Sequence, residues 1–359
     1  MIRSINIYYS DIDKLILEFA VPCLRHWSPR LHRTFFERRC LEGRNLRIRL
    51  ESDDEGTLAE ACTAIEHQAR HYLKQHPSAT LPSLSSDAAA KLAEIERAPH
   101  FEPGQQFSNQ VFLADYERES PRDGSPELLD LLHTFLDKSS RLAALALQTP
   151  EQKFERFLEV VFLSTFLFGE TPAEGAVTYH AHWAVLAHWF EPRALIRHIV
   201  DSYPQRREHC RRIFHRVRND RQNPFLSNTA AAINEAIRTA HGNAQNLAGS
   251  IEYAATVDTL KSTYQLLDKD GEGFPFLDTL YADGRYLADV TFNPAVQVTR
   301  LTVNLLYHFA AQLGLRAVDR FAACYYVQQT IAEESGANYQ AILSGFVTEA
   351  QERARRAVA

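Results

Sequence analysis

The chain has 359 residues, of which 45% are hydrophobic and 23% are charged, the composition of a globular protein. Its formal net charge of −6 argues against broad binding to nucleic acid, because such binding depends on a basic surface. The five cysteines are scattered and odd in number, which indicates reduced thiols. There is no signal-peptide pattern at the start and no apolar stretch long enough to cross a membrane, so we expect a cytoplasmic protein.

The beginning of the chain is predicted to alternate between strands and helices. The β-prone residues and the apolar residues at helical spacing follow one another in separate blocks. In chain order the predicted elements are a strand at 5–9, a helix capped by Asp11 or Asp13, strands at 34–36 and 46–50, and a helix at 57–74. This β-α-β-β-α order is that of a ferredoxin-like unit with a small sheet.

Two linkers, a short helix at 88–97 and a strand at 111–116 come next, and helical spacing dominates afterwards. The predicted helices cover residues 127–147, 151–168, 177–190, 192–218, 229–247, 251–267, 296–313, 317–333 and 339–358. We therefore predict an α+β fold with a mixed part at 1–124 and a large, mostly helical part at 125–359. The two parts are expected to share one core and form a single composite domain.

The predicted strands at 34–36 and 46–50 form a hairpin, and its second strand carries an unusual pair of arginines. Arg47 and Arg49 alternate with Ile48 and Leu50, so the guanidinium groups lie on one face of the strand and the apolar side chains on the other. Two guanidinium groups on one face repel each other unless an anion lies between them. A solvated basic edge strand is an equally good interpretation of the residues alone.

A second basic cluster, at 206–218, lies on one predicted helix. It contains Arg207, Arg211 and Arg212, which could bind an acidic peptide. A solvated helix face is the favoured interpretation, by about two to one, because charge runs usually lie on surfaces. The histidines show no zinc-ligand spacing, and the acidic loop that begins at Asp268 lacks the glutamate that a calcium loop needs at its twelfth position. No metal or nucleotide cofactor is predicted.

Several segments carry a family resemblance. They are the hairpin at 35–49, Tyr116-Glu117-Arg118-Glu119 with Arg122 after it, Ala181-His182, and Leu313-Gly314-Leu315. In this order they resemble the small, elimination-type domain of lantibiotic dehydratases and the thiopeptide-type bacteriocin biosynthesis proteins. The sequence departs from the family pattern at Arg39 and Cys40, where the family has His and Trp, and at Ala311-Gln312, where it has Asn-Arg.

The resemblance implies a lyase that removes glutamate from glutamylated Ser or Thr of a ribosomal precursor peptide, with no cofactor or metal. It also implies roles for individual residues, by analogy of position. Arg49 and Arg118 would hold the glutamate carboxylates, with Arg38, Arg47 and Arg122 in support and Glu119 orienting an arginine. His308 is the first choice for proton transfer and His182 the second.

Two alternatives to elimination remain open. Related proteins with this fold close a pyridine ring by formal [4+2] cycloaddition of two dehydroalanines, which depends on shape and on donors to an amide oxygen. The chain could instead be a non-catalytic subunit that binds the precursor peptide. The implied partners are the precursor peptide and a separate tRNA-dependent glutamylating subunit, without direct binding of nucleic acid or membrane.

Overall fold

The computed structural model describes residues 1–39, 44–79, 107–115, 126–189, 193–220, 222–250 and 294–358. The chain divides into two compact units. The first comprises Met1–Lys153 and His308–Gly314, and the second comprises Phe154–Tyr307 and Leu315–Ala359. The predicted helices at 88–97 and 251–267 and the predicted boundary after residue 124 lie outside the described residues.

The first unit contains a four-stranded antiparallel sheet with the predicted ferredoxin-like order. Its strands are β1 (Ile2–Tyr8), β2 (Arg33–Arg39), β3 (Asn45–Glu51) and β4 (Gln110–Asp115). Its helices are α1 (Ile12–Leu15), α2 (Val21–Trp27), α3 (Glu55–Gln75) and α4 (Pro126–Ala146). The strands lie in the order β2-β3-β1-β4 and every neighbouring pair is antiparallel, so the α+β prediction is confirmed.

Local sequence signals set the ends of these helices. The Asp11 carboxylate accepts the Lys14 amide at 3.0 Å and caps α1, and Asp54 caps α3 in the same way. Between α1 and α2 the chain makes one π-helical turn, Ile16–Ala20. Pro22, two residues after this turn, has no N–H for the regular i−4 ladder, which accounts for the wider turn.

The sheet has one apolar and one polar face. Ile5, Ile48 and Phe36 lie side by side across three strands and are fully buried. Arg47 and Arg49 lie on the opposite face, as the alternation in β3 predicted. Because β3 has β2 on one side and β1 on the other, the interpretation of a solvated basic edge strand is wrong.

The outer edge of β2 is covered by side chains instead of another strand. The Thr34 amide donates to Asp137 at 3.0 Å and the Phe36 amide donates to Ser140 Oγ at 3.1 Å, both on α4. The Phe36 carbonyl accepts from Gln312 Nε2 at 3.0 Å. Gln312 also bonds Ser139 and Ser140, at 2.7 and 2.9 Å, so this buried amide joins residues 308–314 to the sheet and to α4.

The helices of the second unit are α5 (Lys153–Phe168), α6 (Pro172–Trp189), α7 (Arg193–Asn219), α8 (Pro224–Ser250), α9 (Pro294–Gln312), α10 (Ala317–Ser335) and α11 (Tyr339–Val358). The last five residues of α9 belong to the first unit. Helix α10 packs against α6 and α7, with Val327 and Tyr179 in the buried interior. None of the described helices is long and apolar enough to span a membrane.

Removing the Gln312 amide is expected to destabilise the first unit. Gln312→Ala leaves the Phe36 carbonyl and the serines of α4 without this partner, which costs about 1–3 kcal/mol of unfolding free energy for a buried polar group. Urea unfolding followed by circular dichroism measures the change. Asn304→Ala, at an exposed position of the same helix, is the matched control, and an equal effect of the two substitutions would contradict this role of Gln312.

Candidate functional site

The polar face of the sheet holds a buried ion cluster. Glu37 of β2 lies directly opposite Arg47 of β3, and its carboxylate accepts Arg49 Nε at 3.1 Å. Arg39 approaches the same carboxylate at 3.6 Å. The anion that the arginine pair requires is therefore supplied by the chain itself, from the facing strand.

Two further hydrogen-bond partners of the arginines on this face come from β1. Arg49 donates to Ser4 Oγ, and Arg47 Nε donates to Asn6 Oδ1 at 3.0 Å. Arg49 is only 3% exposed, whereas Arg47 is half-buried. Arg49 is thus held by partners on both neighbouring strands, and Arg47 retains some access to solvent.

The charge of Glu37 is stabilised strongly by this arrangement. Burial alone would raise the pKa of Glu37, but the positive charges of Arg39, Arg49 and Arg47 lower it to about 2. The carboxylate is therefore ionised throughout the ordinary pH range, and the ion cluster persists with it.

Arg38 has a different environment, on the other face of β2. Its Nη2 contacts Asp13 at 2.5 Å and its Nε donates to the Gln312 carbonyl at 2.6 Å. A Cβ at Gly314 would lie 2.8 Å from the Arg38 guanidinium, and Gly314 has φ +73°. Both observations explain why glycine occupies the centre of the Leu313-Gly314-Leu315 segment.

The second unit contains a chain of uncharged polar side chains. His182 Nδ1 lies 2.5 Å from Tyr307 Oη, and Tyr307 Oη lies 3.3 Å from Cys324 Sγ. Burial and the charge of Arg300 lower the pKa of His182 to about 4, and burial raises the pKa of Tyr307. At neutral pH the imidazole is uncharged and the phenol is protonated, so this half-buried pair consists of two neutral hydrogen-bonding groups.

The remaining predicted residues are spread over the chain. His308 lies on α9 with an exposed side chain, and Arg118, Glu119 and Arg122 lie outside the described residues. Their roles stay predictions. Sequence analysis missed Glu37, although this residue directly precedes Arg38 and Arg39 in the sequence. It also missed the Tyr307–Cys324 pair, for which the sequence carries no local signal.

The basic cluster of α7 is a surface feature, as predicted. Arg207 Nε pairs with Glu333 at 2.7 Å, and Arg211 pairs with Glu334, both on α10. Arg212 is exposed. Among the described residues, no group of three or more His, Cys, Asp or Glu side chains could hold a metal ion.

The ion cluster predicts how stability depends on pH. A carboxyl whose pKa is lowered on folding stabilises the protein above its unfolded pKa, and this contribution is lost as the pH falls towards about 2. Between pH 5 and pH 3 the natural protein should lose on the order of 1–3 kcal/mol more unfolding free energy than Glu37→Gln. Urea unfolding at each pH measures it, with the exposed Glu151→Gln as control. Parallel curves for the natural protein and Glu37→Gln would contradict the assignment.

Comparison with known proteins identifies the family. Residues 3–331 match the family described as lantibiotic biosynthesis dehydratase C-term. No curated protein matches the chain. Solved structures with a similar fold include the pyridine synthase TbtD from thiomuracin biosynthesis (19% identity, TM-score 0.68, 93% of this chain and 99% of that chain) and TsrL (15% identity, TM-score 0.63, 96% of this chain and 97% of that chain). The tRNA-dependent lantibiotic dehydratase MibB from Microbispora sp. 107891 matches at 12% identity and TM-score 0.47, over 93% of this chain and 28% of that chain.

Since the family match at residues 3–331 spans nearly the whole sequence, the chain belongs to the lantibiotic dehydratase C-terminal family.

Proposed function

We propose that this chain is an enzyme that closes a ring between two dehydroalanine residues of a ribosomally made precursor peptide. Its family belongs to the biosynthesis of such modified peptides, which supports the substrate class. The reaction is supported by the similarity in fold to the pyridine synthase TbtD over the whole of that chain. This choice reverses the order suggested by the sequence resemblance, in which glutamate elimination came first.

The observation that carries the choice is the pairing of Arg49 with Glu37. Elimination requires arginines that can bind the departing glutamate, but Arg49 is buried against an internal carboxylate and Arg38 is paired with Asp13. Transferring the buried guanidinium of Arg49 to a substrate removes from Glu37 its closest cation, at 3.1 Å, which opposes binding of glutamate by Arg49. A clamp that uses Arg49 or Arg38 is therefore unfavourable, and Arg118, the second arginine of the clamp implied by the resemblance, lies outside the described residues.

Ring closure makes different demands. One amide must lose its N–H proton and gain a proton on its oxygen, so that it becomes the four-atom partner in the cycloaddition. Uncharged groups that donate and accept protons suit this tautomerisation, and His182 with Tyr307 provides such a pair. No charge on either side chain needs to be created before the substrate binds.

Glutamate elimination remains the second candidate, because two residues of the first unit favour it. Arg47 is half-buried on the polar face of the sheet and His308 is exposed, so both could reach a substrate. Arg118 and Arg122 would complete that site. The third candidate is a subunit that binds the precursor peptide and catalyses neither reaction.

The proposed partners follow from the chemistry. Dehydroalanines must be made before a ring can close, so a separate tRNA-dependent glutamylating subunit is proposed to act upstream in the same cytoplasmic pathway. The exposed face of α7 around Arg207, Arg211 and Arg212 is proposed to bind acidic residues of the precursor peptide. The first two arginines already pair with glutamates of α10, so a peptide there would compete with internal partners.

The reaction can be tested with two synthetic peptides, one carrying two dehydroalanines and one carrying a glutamylated serine. We expect the protein to cyclise the first and leave the second unchanged, as followed by mass spectrometry. His182→Ala should slow cyclisation by roughly 10²–10⁴-fold, the range for a group that transfers a proton.

The control for this experiment is His198→Ala, which removes an exposed histidine of α7 and should leave the rate unchanged. Release of glutamate from the second peptide, without cyclisation of the first, would establish elimination instead. If neither peptide reacts but both bind, the protein is a binding subunit and the proposal is wrong.

A further inference from the structure

Cys324, Tyr307 and His182 form a chain of hydrogen-bond contacts in the second unit. Tyr307 Oη and His182 Nδ1 are 2.5 Å apart. Tyr307 Oη lies between this nitrogen and the sulfur of Cys324, and sulfur is the weaker acceptor of the two. Donation from the phenol to the imidazole nitrogen is therefore the favoured direction.

This direction fixes which ring nitrogen of His182 carries the proton. A neutral imidazole has one N–H and one acceptor nitrogen, and Nδ1 is the acceptor. The proton then lies on Nε2. With its hydrogen engaged by His182, Tyr307 Oη can only accept from Cys324, whose sulfur lies 3.3 Å away.

Cys324 is well suited to donate and poorly suited to any charged role. Its side chain is buried, and burial raises the pKa of the thiol to about 12, so the sulfur keeps its hydrogen. Arg320 lies over the Tyr307 ring, 5.2 Å from its centre, and contributes to holding the ring in place. The Tyr307 hydroxyl thus contacts the thiol of Cys324 as well as the imidazole of His182.

We propose that Cys324 is a positioning residue that acts through Tyr307 and holds His182 in the tautomer with its proton on Nε2. In this state the imidazole presents an N–H donor, which can bind the oxygen of a peptide amide. The tautomer is proposed from the contacts of these three side chains, and the use of the donor in catalysis rests on the proposed ring-closing function. His182 would accordingly act first as a hydrogen-bond donor to the substrate and only secondarily as a base.

Nuclear magnetic resonance of the full chain labelled with ¹⁵N-histidine tests this proposal without any substrate. Two-bond and three-bond couplings to the ring protons distinguish the tautomers, and the signals of His182 are identified by their loss in His182→Gln. We expect the Nε2–H form in the natural protein and in Cys324→Ser, whose hydroxyl retains a donor. Cys324→Val removes the donor at similar volume and should give a mixture of tautomers.

Cys210→Ala is the matched control, because it alters another buried cysteine of the same unit and should leave the His182 signals unchanged. Tyr307→Phe removes the donor to Nδ1 directly and should also give a mixture, which tests the proposal even where Cys324→Val does not fold. In the cyclisation assay Cys324→Val should lower kcat by about tenfold with little change in KM, as expected for loss of one oriented hydrogen bond.

Three outcomes would overturn the proposal. They are an Nδ1–H form in the natural protein, an unchanged Nε2–H form in Tyr307→Phe, and an unchanged Nε2–H form in a folded Cys324→Val. Because the tautomer is measured without a substrate, these results are distinguishable from failure of the proposed function. A correct tautomer in a protein that does not cyclise the test peptide would support the positioning role and contradict only the ring-closing reaction.

Discussion

The carboxylate of Glu37 is the interaction on which the first unit depends. It lies on the polar face of the sheet and neutralises guanidinium groups from two strands, including the buried Arg49. A buried arginine without such a partner would oppose folding by several kcal/mol. Once Glu37 is ionised, β2 and β3 are joined by charge on one face and by apolar packing on the other.

The pairing of Arg49 with Glu37 also distinguishes residues that stabilise the fold from residues that are available to a substrate. An arginine held by an internal carboxylate contributes to the register of the sheet and is a poor ligand for a substrate carboxylate. The second unit has the opposite character at His182 and Tyr307, where burial keeps both side chains uncharged and hydrogen-bonded. Neutral donors and acceptors can bind both the N–H and the oxygen of a peptide amide, and we therefore assign the proposed reaction to this pair.

The sequence predicted the order of the sheet elements well, because strand periodicity and helix capping are local. The alternation of Arg47 and Arg49 with apolar residues predicted correctly which side chains share a face. It did not show that β3 is an interior strand. The second neighbour of β3 is β1, which lies about forty residues earlier in the sequence, and the alternation within β3 carries no information about it. The role of Glu37 depends on the register of the hairpin, which the alternation alone does not specify.

The contacts of longest range were the least predictable. Gln312 stands where the family has arginine, and in sequence it looked only like a departure from the family pattern. In the structure it covers the edge of β2 from 276 residues away. His182 and Tyr307 are separated by 125 residues, and neither has a neighbour in sequence that indicates the pairing.

The central claim is that Glu37 neutralises Arg49 and thereby commits it to the fold. A double-mutant cycle in unfolding free energy, with Glu37→Gln, Arg49→Met and the double variant, measures this coupling directly. We expect the two substitutions to be strongly non-additive, with a coupling energy above about 1 kcal/mol, because each single change removes the charge that the other side chain contacts at 3.1 Å. Effects that add to within about 0.5 kcal/mol would contradict it, since independent residues behave in that way.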